Sequence, residues 1–111
     1  MDETAKPSRA TVNALAASLA AYEAEMELQS IRVLAGGSRR VDLCTDFPAL
    51  CRRIMQVAPH AERPLIQLVD AHRLLVARLL RPIGEPRIAV GAARHALGAA
   101  LADLRVKIAG R

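Results

Sequence analysis

Apolar residues recur at helical spacing in four segments of the chain, and proline or glycine bounds each segment. In the first segment they follow one another at intervals of seven, the spacing of a stripe that faces a helical core: Val12, Leu19, Met26 and Val33. A chain of 111 residues has the length of one domain. We therefore predict an all-α fold, an antiparallel four-helix bundle with helices over about 8–35, 46–58, 62–81 and 86–109.

Residues that cap or break helices mark the ends of these segments. Ser8 is the predicted N-cap of the first helix, and either Thr45 or Asp46 caps the second. Gly36 and Gly37 are predicted to end the first helix, because glycine accepts left-handed backbone geometry at a helix C-terminus. Short connections between the segments favour antiparallel packing of neighbouring helices.

The remaining sequence bears on domain organisation and location. Residues 1–7 are polar and charged, which predicts a flexible N-terminal tail in front of one helical-bundle domain over residues 8–111. No stretch contains the ~20 consecutive apolar residues of a transmembrane helix. Fourteen arginines against two lysines, with 22 alanines, are typical of a GC-rich bacterial coding sequence, so the arginine excess need not be functional. We expect a cytoplasmic bacterial protein without a targeting segment.

The sequence contains no motif that carries catalysis or cofactor binding. There is no P-loop, no G-x-G-x-x-G and no G-x-S-x-G. Cys44 and Cys51 are not at C-x-x-C spacing, and no His or Cys partner stands at zinc-finger spacing. A bridge between them is geometrically conceivable, but free thiols are the expectation in the cytosol. We predict a non-enzymatic protein with no catalytic residue, no metal and no cofactor.

Two histidines form the one arrangement that suggests a ligand. His72 and His95 are both expected to point inward on adjacent helices, where they could share a metal ion or a small ligand. Metal sites in helical bundles normally add carboxylates and a Glu-x-x-His pair, and that pattern is absent. A small-ligand or metal-binding bundle at these residues is therefore the weakest of three functional alternatives. We favour hydrogen bonding of each histidine at the edge of the bundle.

Charge is distributed unevenly along the chain. Residues 1–35 carry three basic and five acidic side chains, a net charge of −2, and residues 36–111 carry thirteen basic and six acidic, a net charge of +7. Nucleic-acid binding is the second alternative, with phosphate contacts from Arg39, Arg40, Arg52, Arg53, Arg78, Arg81, Arg87 and Arg94. One Tyr, one Phe and no Trp disfavour base stacking, and ion pairs with the acidic residues of the first helix explain the charges equally well.

Two features predict association, which is the leading alternative. Leu28, Ile31 and Leu34 lie off the main apolar stripe, so that end of the first helix needs cover on more than one side. Gly91 and Gly98 each cost about 1 kcal/mol relative to alanine in a helix, which indicates close packing against either the first helix or a second copy of the chain. We predict a protein–protein interaction or regulatory module with these five residues at its interface. The expected partner is a second copy, another protein, or both.

Overall fold

A computed structural model describes residues 7–37, 41, 43–81 and 83–110. These residues form four α-helices and one short 3-10 helix: α1 (Arg9–Leu34), α2 (Phe47–Val57), the 3-10 helix (Pro59–Ala61), α3 (Glu62–Leu80) and α4 (Pro86–Gly110). The predicted all-α bundle is confirmed, and every α-helix begins and ends within one residue of its predicted bounds. The 3-10 helix was not predicted. Among the described helices, none is long and apolar enough to cross a membrane.

The helices begin and end where the chain supplies capping groups. Ser8 and Asp46 each accept a hydrogen bond from the backbone N–H three residues later, at 3.1 Å. Asp46 rather than Thr45 is therefore the N-cap of α2. After α1, Gly36 adopts a φ of +87°, which residues with a side chain rarely adopt. These local groups fix the two ends of α1 and the start of α2.

Contacts between α1 and α2 show that the two helices are antiparallel. The ring of Phe47, at the start of α2, lies 5.2 Å from the ring of Tyr22 between centroids. Six residues further along α2, the guanidinium of Arg53 donates a hydrogen bond of 3.2 Å to the hydroxyl of Ser18, which lies earlier in α1. Because the order of contacts reverses, α2 runs back along α1.

A contact of the same kind shows that α3 and α4 are antiparallel. His60 lies just before α3, and its Nε2 is 3.0 Å from the carbonyl oxygen of Lys107 near the end of α4. The start of α3 therefore meets the end of α4, and this antiparallel pair makes the most extensive helix contact of the described structure. Next in extent is the contact of α1 with α4, so α1 and α3 occupy diagonal corners of an up-down-up-down bundle.

The core lies between the inward faces of the four helices. Its largest fully buried side chains come from all of them: Leu15, Leu19, Tyr22, Met26, Ile54, Leu68, Leu75, Leu79, Val90, Leu101 and Leu104. Each buried aliphatic side chain of this size contributes roughly 1.5–3 kcal/mol relative to its exposed state. On α1, Leu19, Met26 and Val33 of the predicted stripe are buried and Val12 is half-buried, so helical periodicity located the core side of this helix.

The 11 residues of α2 cover only part of the bundle, and other residues complete that side. Val41 and Leu43 pack against the core. Glu25 of α1 holds the backbone before α2 by accepting hydrogen bonds from the N–H groups of Cys44 (2.6 Å) and Thr45 (3.0 Å) and from the Thr45 hydroxyl. Burial opposes ionisation of Glu25, but these hydrogen bonds outweigh it and hold its pKa below the ordinary value. The Glu25 carboxylate thus links α1 to the segment that precedes α2.

Candidate functional site

The outer side of α1 is as apolar as the side that faces the core. Six exposed residues follow one another there at steps of one, three and four: Ala17, Ala20, Ala21, Ala24, Leu28 and Ile31. Leu28 and Ile31 are each 54% exposed, and Leu34 near the helix end is 37% exposed. A helix on the surface of a bundle normally carries polar residues on this side. The second apolar face predicted for α1 is thus present, and the residues that the structure describes do not cover it.

The outer side of α4 continues this apolar surface. Its exposed residues are small or aliphatic except for one histidine: Ile88, Gly91, Ala92, His95, Ala99, Ala102 and Val106. Ile88 and Val106 are 71% and 72% exposed. Because α1 and α4 are neighbours, their outer sides form one surface, which we call the α1–α4 face and define by these residues and the six on α1.

Ion pairs join α1 and α4 along the line where they meet. Arg94 pairs with Glu27, and Arg105 Nη2 lies 2.9 Å from Glu23 Oε1. All four side chains are partly exposed, so each pair contributes at most about 1 kcal/mol. The pairs matter for geometry, because the earlier glutamate meets the later arginine and α4 therefore runs antiparallel to α1. Glu23 and Glu27 also line the α1 surface beside Ala20, Ala24 and Leu28, so charge borders the apolar outer stripe.

A shallow groove runs between α1 and α4 beside these ion pairs. Met26, Leu97 and Gly98 form its apolar part, and Arg94 and His95 stand at its rim. A Cβ atom added to Gly98 would meet no other heavy atom within 4 Å, and the same holds for Gly91. The predicted close packing of these glycines against α1 of the same chain is therefore wrong. Their predicted role toward a second chain is not tested by this structure.

The two histidines of the metal or ligand alternative do not come together. His95 is exposed on α4, which corrects the prediction that it points inward. His72 is half-buried where α1, α2 and α3 meet, and its Nδ1 lies 2.6 Å from the hydroxyl of Tyr22. In the described part of the chain, no three His, Cys, Asp or Glu side chains cluster as a metal site would require.

His72 instead belongs to an aromatic cluster with Tyr22 and Phe47. The rings of Phe47 and His72 are stacked, with centroids 3.8 Å apart and planes within 9°. Burial, with a smaller effect of Arg73, lowers the pKa of His72, and burial raises that of Tyr22. The phenol therefore stays protonated and donates to Nδ1 of a neutral imidazole. Such a pair stabilises the junction of three helices.

The cysteines show no sign of an activated thiol. Cys51 is half-buried, and burial raises its pKa against a smaller opposing effect of Arg52. A raised pKa keeps the thiol protonated, whereas nucleophilic cysteines have lowered values. Cys44 is exposed, and both cysteines are free.

The arginines predicted to contact nucleic acid do not share one surface. Arg94 is occupied by Glu27, and Arg87 lies at the start of α4. Arg39 and Arg40 lie outside the described residues. The others lie on α2, on α3 or at the end of α3: Arg52, Arg53, Arg78 and Arg81. Of the described arginines in this set, Arg52 and Arg53 on α2 and Arg81 after α3 are exposed.

Sequence reasoning found parts of this arrangement and missed others. It identified Leu28, Ile31, Gly91 and Gly98, but as separate features rather than as one surface. It missed the aromatic cluster entirely, because Tyr22, Phe47 and His72 are 25 residues apart in sequence and no pattern links them. Comparison with known proteins adds nothing to either feature. No protein-family model matches the chain, and no curated protein or solved structure is significantly similar to it.

Proposed function

We propose that this protein is a non-enzymatic interaction or regulatory module that binds a partner protein through the α1–α4 face. One observation carries the proposal: two neighbouring helices both leave an apolar outer side uncovered, with Ile31, Ile88 and Val106 each more than half exposed. Contiguous apolar surface of this kind on a folded protein marks interaction sites. A cytoplasmic location is part of the proposal and rests on the sequence.

The arrangement of charge supports this use of the surface. The acidic side chains of α1 form ion pairs or hydrogen bonds with other parts of the chain. Glu23 and Glu27 pair with arginines of α4, and Glu25 binds the backbone before α2. The result is two apolar stripes with ion-paired side chains between them, and protein–protein interfaces combine apolar and polar groups in this way.

A matched pair of variants tests the proposal. Ile31 on the α1–α4 face and Ile66 on the outer side of α3 are both isoleucines at 54% exposure in a helix. Immobilised wild-type protein, Ile31→Glu and Ile66→Glu are each incubated with extract of the source organism, and bound proteins are quantified. We expect Ile31→Glu to lose the specific partners and Ile66→Glu to retain them. Equal retention by both variants would contradict the proposal.

Nucleic-acid binding is a second candidate because exposed arginines remain on α2 and α3. Arg52, Arg53 and Arg81 are exposed, and none takes part in the two ion pairs described between α1 and α4. Fluorescence anisotropy with a labelled DNA duplex at about 50 and 200 mM salt tests it, since phosphate contacts weaken steeply over that range. Salt-sensitive binding that is lost in Arg52→Glu/Arg53→Glu but kept in Ile31→Glu would support it. Absence of binding at low salt would exclude it.

A further inference from the structure

We propose that the turn between α3 and α4 binds the surface of a membrane that contains anionic lipid. We define this α3–α4 turn by the described residues 80, 81 and 83–88. The inference goes beyond the proposed function, because Leu80 and Ile83 lie outside the α1–α4 face and only Ile88 belongs to both surfaces. Exposure, charge and molecular shape support it.

Three large aliphatic side chains are exposed in the α3–α4 turn. Leu80 is 49% exposed, Ile83 64% and Ile88 71%. Turns are normally built from Gly, Pro, Asn, Asp or Ser, and Gly84 already supplies the left-handed backbone of this one with a φ of +73°. Neither the turn geometry nor the core therefore requires the three aliphatic side chains. Apolar groups that are exposed together in this way mark binding to a protein or a membrane.

The other two connections between α-helices are built differently. Between α1 and α2, Val41 and Leu43 pack against the core. Between α2 and α3, the exposed residues are Pro59 and His60. Among the described connections, the α3–α4 turn alone exposes large aliphatic side chains. Its composition is therefore not a general property of the loops of this chain.

Arginines flank the aliphatic residues and distinguish a membrane from a protein partner. Arg81 and Arg87 are exposed, and neither forms an ion pair within the described part of the chain. Residues 78–88 contain three arginines and one acidic residue, a net charge of +2. An arginine can lay its aliphatic stem on apolar surroundings while its guanidinium binds a phosphate. This charge matches anionic lipid, which also attracts the whole chain with its net charge of +5.

The acidic residue of the turn, Glu85, is used at the start of α4. Its carbonyl oxygen accepts a hydrogen bond of 2.9 Å from the N–H of Ala89, and its carboxylate accepts one of 3.4 Å from the N–H of Arg87. The first turn of a helix carries a partial positive charge that stabilises a carboxylate. The negative charge of Glu85 is therefore partly balanced by α4 itself.

The shape of the molecule allows the turn to reach a membrane. The protein is elongated, with extents of 55 × 22 × 17 Å. The start of α3 meets the end of α4 at one end of the bundle, so the α3–α4 turn lies at the opposite end. An end this narrow can enter the headgroup region to a depth of ~5–10 Å while most of the α1–α4 face stays in water.

Co-sedimentation with lipid vesicles tests the role of charge. The vesicles contain either phosphatidylcholine alone or phosphatidylcholine with about 30% phosphatidylserine, and the wild type should bind the anionic vesicles at least ~10-fold more tightly. Arg81→Gln/Arg87→Gln and the control Arg52→Gln/Arg53→Gln both lower the net charge from +5 to +3. We expect about 30-fold weaker binding from the first and at most about 3-fold from the second. Equal losses from the two variants would overturn the assignment to the turn.

A second matched pair tests insertion of the aliphatic side chains. Leu80→Ser/Ile83→Ser removes two of them from the turn, whereas Ile66→Ser/Leu74→Ser removes two from the outer side of α3 that are 54% and 40% exposed. The first should weaken binding to the anionic vesicles at least ~10-fold, and the second should leave it unchanged. Circular dichroism and the melting temperature establish that the variants are folded. Unchanged binding by folded Leu80→Ser/Ile83→Ser would contradict insertion.

A fluorescent label shows which end of the molecule meets the lipid. In a Cys44→Ser/Cys51→Ser background, an environment-sensitive dye is attached to Ile83→Cys or to Gln56→Cys, which is exposed near the opposite end. Emission from residue 83 should shift to the blue when anionic vesicles are added, and emission from residue 56 should not. A shift at residue 56 without one at residue 83 would overturn the inference.

The outcomes separate this inference from the proposed function. Capture of partners from extract, without vesicles, tests the α1–α4 face, and vesicle binding tests the α3–α4 turn. If the wild type does not bind anionic vesicles, the membrane inference fails whatever the extract shows. Extract partners that Leu80→Ser/Ile83→Ser loses and Ile66→Ser/Leu74→Ser keeps would then make the turn a site for protein rather than for lipid.

Discussion

The outer sides of α1 and α3 lie on diagonal corners of the same bundle, yet they are built differently. On α3, the exposed apolar residues Ile66, Leu74 and Leu80 alternate with exposed arginines and an aspartate. On α1, from Ala17 to Ile31, every residue along the outer stripe is apolar. Both helices bury leucines in the core. The two helices therefore differ on their outer sides, which do not pack against the core.

This difference shows that α1 has two apolar sides with separate roles. Its inner side holds the bundle together, as the inner side of α3 does. Its polar side chains are used sideways, because Glu23 and Glu27 reach α4 and Glu25 reaches the backbone before α2. The apolar outer side contributes nothing to the described packing of the chain, which is why we assign it to a partner.

The largest expected effect separates the two sides of α1. Leu19→Ala empties a fully buried site and should lower the free energy of unfolding by about 2–5 kcal/mol. Leu28→Ala, on the outer side, should change it by less than about 0.5 kcal/mol at concentrations where the protein is monomeric. Urea denaturation followed by circular dichroism measures both. Comparable losses from the two variants would mean that the outer side supports the fold.

A smaller effect concerns the junction of α1 with α2 and α3. Tyr22→Phe keeps the buried ring but removes the hydroxyl that donates to His72 Nδ1. We expect a loss of about 1 kcal/mol, the usual net value of one such hydrogen bond. Urea denaturation of a His72→Phe/Tyr22→Phe double variant completes a mutant cycle. Strictly additive losses would show that the two groups are not coupled.

Alanine substitutions at Gly91 and Gly98 of α4 should change the stability of the monomer in the opposite direction from a substitution at Gly84, which lies in a turn. Gly98→Ala and Gly91→Ala enter open space on a helix and should each raise the free energy of unfolding of the monomer by about 0.5–1 kcal/mol. Gly84 has a φ of +73°, so Gly84→Ala should lower it by about 1 kcal/mol. Thermal melts of the three variants test this. Destabilisation by Gly98→Ala would mean that the groove between α1 and α4 is filled within the chain.

The smallest effect is a dependence of stability on pH. Burial lowers the pKa of His72, so the unfolded chain takes up this proton at a higher pH than the folded chain. The resulting stability is complete above the ordinary pKa of about 6.5 and is lost as the pH falls below it. Between about pH 7.5 and 5.5, wild-type protein should lose more stability than His72→Gln. His95→Gln, on the exposed side of α4, is the control and should follow the wild type.

The ionisation of Glu25 does not affect stability between about pH 7.5 and 5.5. Its pKa is held below the ordinary value, so its contribution is present above the ordinary carboxylate pKa of about 4 and is lost only as the pH falls further. Stability lost between pH 7.5 and 5.5 therefore reports on histidine. An identical pH dependence of His72→Gln and wild type would show that the imidazole is not buried in its neutral form.

Much of the fold could be predicted from periodicity and capping residues. The seven-residue spacing of Leu19 and Met26 located the core side of α1, and Ser8 and Gly36 located its ends. The site could be predicted only in part. An apolar residue outside the main stripe, such as Ile31, indicates that something must pack against it, but the sequence does not show which element or partner does so. The inward prediction for His95 was wrong, because helical spacing itself places this residue on the side of α4 opposite the buried Val90 and Leu97.

The sequence by itself determined the number of helices, their bounds and which side of each helix is buried, because these depend on local spacing and on single capping groups. Only the tertiary structure decided that the outer sides of α1 and α4 adjoin, that Gly91 and Gly98 face open space, and that Tyr22 binds His72. Those facts depend on which helices become neighbours and at what height. Glu27 and Arg94, 67 residues apart in the chain, meet only because α1 and α4 are neighbours, and no local pattern contains that contact.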